Sequence, residues 1–255
     1  MNIAEAFLGP AMITGALLIC RIGAFVALSP FPAHFTTPSQ RIGLAVILSL
    51  SLIFSVDTRS APTALDLRMT VPVLREVLCG ALMGIAHRIV FLAADVLGTS
   101  VSASMGLTMP QVMDPHTEAH ESALGRLFTL LGMLVLVSSG VHRMAFAHLL
   151  RSFDAVPLGS AHGAHLAAPL LISLAGDSLS AGVSLAMPVA GVTLVLQLAL
   201  AMVARSSPQL QLFNVGLGLM MLAGIVTCAG GARDMLEGLG AHFQLTARTW
   251  DVGHP

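Results

Sequence analysis

The chain has 255 residues, of which 55% are hydrophobic and only 10% charged, and its formal net charge is −1. Soluble domains usually carry about a quarter charged residues, so this composition excludes an ordinary soluble protein and indicates a polytopic membrane protein. A net charge close to zero, without any run of like charges, argues against a nucleic-acid-binding surface.

Six apolar segments predict an all-α protein that crosses the membrane several times. They cover residues 10–29, 41–56, 71–98, 124–150, 166–204 and 209–229. A helix needs about 20 residues to cross a bilayer, so the second segment is short for that role and the fifth is too long. Gly176, Gly182 and Pro188 mark points where we expect the fifth segment to bend or fold back. Counting arginines on the two sides predicts that both termini lie in the cytoplasm.

Polar signals mark where several helices begin. Thr37-Pro38-Ser39-Gln40 has the pattern of a capping box with proline in the first turn. Glu76 lies in the first turns of the third segment, where the helix dipole favours an acid. Gly80 and Gly84 follow on the same face at a spacing of four residues, and such small residues allow close packing of helices.

Arg21, Arg88, Asp95 and Asp177 are charged residues that lie inside apolar segments. Each costs several kcal/mol in lipid, on the order of 3 kcal/mol by insertion measurements, unless it is paired or hydrated. Arg88 and Asp95 are about two helical turns apart, so we do not expect them to pair directly. A proton relay needs a chain of acids, and this scattered set favours structural or interface roles instead.

The sequence does not support catalysis or a resident metal. The three cysteines lie inside apolar segments and form no CxxC pair, which is typical of small core residues. His116 and His120, with Glu118 and Glu121 nearby, have a spacing that could hold a metal, but they lack the second histidine of HExxH. No GxSxG, Walker or dinucleotide-binding motif occurs, so we predict no catalytic, cofactor-binding or metal-binding residues.

A polar, irregular stretch at residues 100–122 separates the third and fourth segments. Such backbone is tolerated in a membrane only where protein buries it or where it lines a water-filled path, so we interpret the stretch as a pore or gate element. Methionine is flexible and polarizable, which suits a seal around irregular shapes. The predicted gate residues are Met105, Gly106, Met109, Pro110, Met113, Asp114 and Pro115.

Residues spread along the chain occur in the order and spacing of one family. Those near the start are Arg21, Pro30, Pro38 and Arg41, those of the third segment are Arg75, Glu76, Gly80, Gly84, Asp95 and Gly98, and those after the fourth are Gly140, Phe153, Pro157 and Gly159. The turn before the last segment reads Arg205-Ser206-Ser207-Pro208-Gln209-Leu210. With this set, the chain resembles FliR, the flagellar export-gate subunit, and its injectisome counterpart, over residues 13–229.

Some positions depart from the family pattern. Gly218 stands where proline is usual, Leu217 where phenylalanine is usual, and Thr99 and Ser102 where glutamate and glycine are typical. The acidic, Asn-rich and Arg-Gly stretch of injectisome relatives is absent, which favours the flagellar branch.

The resemblance implies a fold and a role. The fold is a fusion of FliP-like helical hairpins in residues 1–165 and a FliQ-like hairpin in residues 166–230, followed by a polar tail in residues 231–255. The role is a non-enzymatic structural subunit of the type III export gate in the bacterial inner membrane, at the flagellar basal body. Its expected partners are FliP-like, FliQ-like, FlhB-like and FlhA-like proteins and unfolded protein substrates.

The resemblance also assigns residues to the gate. The loop at residues 105–120 corresponds to the plug that closes the resting pore, whereas core filling is the alternative for its methionines. Assembly residues are expected at Arg21, Glu76, Gly80, Gly84, Asp95, Arg205, Pro208, Gln209 and Leu210. The first alternative function is an injectisome export-gate subunit. A small secondary transporter ranks behind it, and Gly176, Asp177, Gly182 and Pro188 could form the broken helix that it needs.

Overall fold

The computed structural model describes residues 3–33, 36–53, 70–107, 122–159, 167–206 and 212–252, and all regular structure in these ranges is helical. The predicted all-α class is therefore confirmed. A single turn at Pro30–Ala33 follows the first helix. The seven longer helices are α1 (Ile3–Leu28), α2 (Pro38–Leu52), α3 (Thr70–Ser104), α4 (Ala123–Ser138), α5 (Val141–Ala155), α6 (Ala167–Ser206) and α7 (Leu212–Val252).

Three helices in the described part of the chain are long and apolar enough to cross a membrane. They are α3, residues Ala168–Arg205 of α6 and residues Gly216–Arg248 of α7. The pair α4 and α5 adds a fourth if it acts as one bent span, whereas Met12–Leu28 of α1 forms a shorter apolar helix. The six apolar segments are all at least partly helical, but fewer than six meet the length of a full span.

The start of α2 follows its sequence signal. The Thr37 backbone N–H donates to the Gln40 side-chain oxygen at 2.9 Å, which is one half of the predicted capping box. Pro38 occupies the first turn, where its missing N–H removes no intrahelical hydrogen bond.

The predicted fold-back of the fifth segment is wrong. Helix α6 continues for 40 residues with Pro188 inside it. At Gly182 an added Cβ would lie 2.7 Å from the Ala93 carbonyl oxygen and from the Val96 Cβ. The glycine therefore serves close packing against α3, and an unbroken helix keeps its backbone hydrogen bonds satisfied in an apolar setting.

Two further boundaries differ from the sequence prediction. The fourth segment is divided by a break before Gly140, whose φ of 76° is the left-handed conformation that favours glycine. The last helix continues to Val252, so the region expected to be a polar tail is helical as far as that residue. Three hydrophobic residues of this region recur every four positions and are buried, namely Met235, Leu239 and Phe243.

The chain packs as two units. Unit 1 consists of residues 1–90, 140–174 and 250–255, and unit 2 consists of residues 91–139 and 175–249. The core of unit 1 is formed mainly by α1 and α5, around Leu17, Ile22, Phe25, Leu149 and Phe153. The core of unit 2 brings the C-terminal half of α3 together with α4, α6 and α7. The predicted division at residue 165 follows the family resemblance and stays a prediction.

Candidate functional site

Unit 1 contains a fully buried ion pair between α1 and α3. Arg21 donates from Nε to Glu76 Oε2 and from Nη2 to Glu76 Oε1, the latter at 3.0 Å, and neither side chain is exposed. Two buried charges are tolerated only when they are paired and their remaining polar atoms are hydrogen-bonded.

The remaining hydrogen-bonding capacity of this pair is used at the C-terminal end of α5. Arg21 Nη1 donates to the Ser152 carbonyl oxygen at 3.1 Å, and Nη2 donates to that of Val156 at 3.0 Å. Glu76 Oε1 accepts from the Gly159 N–H at 2.7 Å, and the Arg21 guanidinium carbon lies 4.6 Å from the centre of the Phe153 ring. The ion pair thus joins three segments that are far apart in the sequence.

Gly80 and Gly84 bring α3 against α1 beside this pair. A Cβ added at Gly80 would collide with the Arg21 carbonyl oxygen, and one at Gly84 would lie 2.9 Å from the Phe25 carbonyl oxygen. Arg21, Glu76, Gly80 and Gly84, which we predicted as assembly residues, therefore face the interior of unit 1, where the structure gives them a packing role.

Asp95 lies in unit 2 and is half-buried. Its Oδ1 accepts a hydrogen bond from the Thr129 hydroxyl of α4 at 3.1 Å. Arg88, about two turns earlier on α3, is exposed, and so is Asp177 on α6. Of these charges, only Asp95 contributes a hydrogen bond between the helices of unit 2.

The end of α3 is fixed by its hydrogen bonds. The Gly106 N–H donates to the Ala103 carbonyl at 3.0 Å, and the Leu107 N–H donates to the Ser102 carbonyl at 3.0 Å. Gly106 has a φ of 77°, so these bonds form a Schellman motif with glycine in the left-handed position. This geometry holds the first residues of the predicted gate in a defined turn.

Met105, the first predicted gate residue, is fully buried in the core of unit 2. It occupies the space left by the missing side chain of Gly224 on α7, where an added Cβ would lie 2.5 Å from Met105 Cγ and 2.8 Å from Sδ. Its position matches the alternative that this methionine fills a gap in the core.

Ser122 is the N-cap of α4. Its hydroxyl accepts from the Gly125 N–H at 3.0 Å and donates to the Ser102 hydroxyl at 2.6 Å. Ser102 is 1% exposed. Leu107 and Ser122, the described residues on either side of 108–121, are both hydrogen-bonded to Ser102.

Several predicted site residues fall outside the described ranges: Met109, Pro110, Met113, Asp114, Pro115, Pro208, Gln209 and Leu210. The histidines and glutamates at positions 116–121 fall outside them as well. Arg205 is described, is exposed and lies in the last turn of α6. Among the described residues, no group of three or more His, Cys, Asp or Glu side chains could hold a metal ion.

The sequence did not single out four residues that the structure places at these sites. Ser152 and Gly224 carry no local motif, whereas Ser122 directly precedes an apolar segment and could have been recognised as an N-cap. Ser102 was noted only as a departure from the family pattern.

A family model described as bacterial export proteins, family 1, matches residues 12–246. The chain belongs to this family. Among relatives named flagellar biosynthetic protein FliR, that of Aquifex aeolicus is 30% identical over 91% of this chain and 90% of its own length. The relative of Caulobacter vibrioides is 28% identical over 82% of this chain and 84% of its own length. The relative of Escherichia coli is 25% identical over 81% of this chain and 79% of its own length.

Membership of the export family agrees with the apolar helices. The chain is a FliR-family protein embedded in a membrane and a component of the flagellar export apparatus. The resemblance stated from the sequence is thereby confirmed.

Proposed function

We propose that this protein is a structural subunit of the flagellar type III export gate in the bacterial inner membrane and forms part of the channel for unfolded flagellar proteins. The observation that carries this proposal is the match of residues 12–246 to the bacterial export family. The chain performs no catalysis in this proposal and holds no cofactor.

The proposed gate element is the loop at residues 105–120. Its described first residues, Met105 and Gly106, are held by core packing and by the Schellman motif at the end of α3. An apolar constriction blocks ions by dewetting until something displaces it. In this proposal Met109 and Met113 contribute to the seal, Pro110 shapes the loop, and Asp114-Pro115 anchors it.

The proposed partners are FliP-like and FliQ-like gate subunits together with FlhB-like and FlhA-like export components. Helices α6 and α7 offer apolar surface for them, because only 17% and 11% of their apolar windows are buried within the chain, against 44% for α3. Arg205, with Pro208, Gln209 and Leu210, would contribute contacts with a partner at the segment between these helices.

A secondary transporter is less well supported than a gate subunit. That function depended on a broken helix near Gly176 and Pro188, which would expose backbone groups to a substrate. Helix α6 is continuous through both positions.

Affinity purification of the tagged protein from native membranes in mild detergent, followed by mass spectrometry, tests the proposed function. Recovery of FliP-like, FliQ-like and FlhB-like proteins is expected, and their flagellar or injectisome type identifies the branch. Recovery of the chain alone, from a species that still assembles flagella when its gene is deleted, would contradict the proposal.

A further inference from the structure

Arg88 lies in the middle of α3, and its side chain is exposed. Helix α3 runs from Thr70 to Ser104, so 18 of its residues precede Arg88 and 16 follow it. A membrane crossing needs about 20 residues. A crossing placed anywhere along α3 therefore contains this arginine.

Arg88 has no partner in the described part of the chain. Arg21, the other arginine inside an apolar segment, is paired with Glu76 in the interior of unit 1. Arg88 makes no hydrogen bond or ion pair with any described residue. Charged side chains within membranes almost always pair with another group or face water, because an isolated charge is costly there. The group that pairs with Arg88 therefore has to come from elsewhere.

Arg88 continues a row of exposed apolar side chains along one side of α3. The apolar members of this exposed row are Val71, Leu74, Leu78 and Ile85, which are 51%, 56%, 46% and 37% exposed. Successive members, with Arg88 as the last, are three, four or seven residues apart. Side chains at this spacing lie along one face of a helix, as they do at the contact between two packed helices.

The opposite side of α3 is already used within unit 1. Glu76, Gly80 and Gly84 face α1 through the buried ion pair and through close backbone contact. The exposed row lies about half a helical turn away from these residues, so α1 does not cover it. The row is therefore available to another molecule.

Lipid would cover the apolar part of the exposed row but not Arg88. Acyl chains offer no hydrogen-bond acceptor, so an arginine against them stays unpaired. A helix with an aspartate or glutamate meets both needs of this surface. Its apolar side chains would pack on the row, and its carboxylate would accept two parallel hydrogen bonds from the guanidinium group.

We propose that the exposed row of α3 is the docking face for an apolar helix of another export-apparatus subunit, and that Arg88 pairs with an acidic side chain of that helix. This inference rests on the proposed function in that it places the chain in an assembly of several subunits. It adds the surface that makes the contact and the chemistry that this surface selects.

Arg88→Leu separates a protein partner from lipid. The substitution makes α3 more apolar, so the variant should reach the membrane at the wild-type level or above it. Loss of the ion pair should lower the recovery of other subunits with the tagged protein about tenfold. Arg88→Lys keeps the charge but not the planar guanidinium, so its recovery should fall between the two. Unchanged recovery with Arg88→Leu would overturn the pairing.

Arg126→Leu is the matched control. Arg126 is also exposed, but it lies near the start of α4, where a long side chain can reach water. Its recovery of other subunits should stay at the wild-type level. An equal loss of subunits in the Arg88 and Arg126 variants would mean that Arg88 makes no specific contact.

A photo-crosslinking residue identifies what lies against the exposed row. Ile85, one turn before Arg88, is replaced by p-benzoylphenylalanine, and intact membranes are irradiated before mass spectrometry. We expect an adduct with another membrane protein, in an apolar segment that carries an aspartate or glutamate.

Each other result of this experiment overturns the proposal. Adducts with lipid alone, or the absence of a protein adduct, would mean that the row faces the bilayer. An adduct with a segment that has no acidic residue would remove the ion pair, and one with a second copy of this chain would identify a different partner. If purification recovers no export proteins, the proposed function fails, whereas the photo-adduct still decides whether the row contacts an acidic helix of another protein.

Discussion

At the scale of single residues, long-range contacts define the key positions of this protein. Glu76 lies 55 positions from Arg21, yet it supplies the carboxylate that makes a buried arginine tolerable in an apolar setting. Gly224 matters because its missing side chain accommodates Met105. Neither role is visible in the local sequence.

Breaking the buried ion pair should strongly destabilise the folded protein. Arg21→Met or Glu76→Leu alone leaves one buried charge without its partner, which costs about 3–5 kcal/mol. The double variant removes both charges, so it should be more stable than either single variant. Thermal unfolding of the protein in detergent, together with its level in membranes, measures this recovery.

The exposed pair Arg233 and Glu237 is the control for this experiment. Arg233 Nε and Glu237 Oε1 are 2.7 Å apart, and the two residues are four positions apart on the same helix. The Arg233 side chain is 85% exposed and that of Glu237 is 64% exposed. Such a pair contributes about 0.3–0.5 kcal/mol, so Arg233→Met should leave unfolding nearly unchanged. A double Arg21 and Glu76 variant that is no more stable than the singles would argue against the ion-pair account.

Gly224→Ala tests the packing of Met105. The added methyl group overlaps the methionine side chain, and overpacking of this kind costs about 1–3 kcal/mol. Adding Met105→Ala should recover part of the loss. Gly230→Ala lies on the same helix with no atom within 4 Å of the added Cβ, so it should be neutral or slightly stabilising. The midpoint of thermal unfolding is measured for Gly224→Ala, for its combination with Met105→Ala and for Gly230→Ala. Equal effects of Gly224→Ala and Gly230→Ala would contradict the packing of Met105 against Gly224.

At the scale of helices, α6 and α7 are much longer than a bilayer requires. With 40 and 41 residues they are each about 60 Å long, against a hydrocarbon thickness of roughly 30 Å. The second half of α7 is held by packing: Phe243 is fully buried and its ring stacks on Phe91 at 6.2 Å between centroids.

Phe243→Ala should therefore destabilise unit 2 by about 3–5 kcal/mol, the usual cost of truncating a buried aromatic side chain. Leu245→Ala is the control on the same helix, because Leu245 is 64% exposed. Limited proteolysis of α7 in detergent compares the two variants. Similar protection of both would indicate that this half of α7 is not held by its core contacts.

At the scale of the whole molecule, the chain leaves much apolar surface uncovered. Exposed large side chains recur along α6, including Ile172, Met187, Val195, Leu198 and Met202. Lipid or neighbouring subunits must cover them, which agrees with the proposed place in a larger assembly.

Arg205→Ala tests whether the C-terminal end of α6 contacts a partner. Arg205 is exposed at the C-terminal end of α6, where it interacts favourably with the helix dipole by about 0.3–1 kcal/mol. We expect the variant to insert into membranes at a normal level but to recover several-fold less of the partner subunits on purification. Arg248→Ala, an exposed arginine of α7, should leave recovery unchanged. Normal recovery with Arg205→Ala would restrict this arginine to capping its own helix.

Composition and local pattern determined the class of this protein by themselves. Hydrophobicity over long segments predicts membrane helices, because the bilayer permits little else. Thr37 and Gln40 predicted the start of α2, and the spacing of Gly80 and Gly84 predicted a closely packed face. These features depend on neighbours in the sequence, so they can be read from it.

Tertiary structure decided the pairings. Arg21 needs a carboxylate, and three acids in apolar segments could supply one, namely Glu76, Asp95 and Asp177. The close packing of α3 against α1 at Gly80 brings Glu76 within hydrogen-bonding distance of Arg21. Likewise, a glycine in a long apolar helix can bend it, as predicted for α6, or admit a neighbour, as Gly182 and Gly224 do. The choice depends on which helix lies opposite, and the contacts that determine it come from residues far away in the chain.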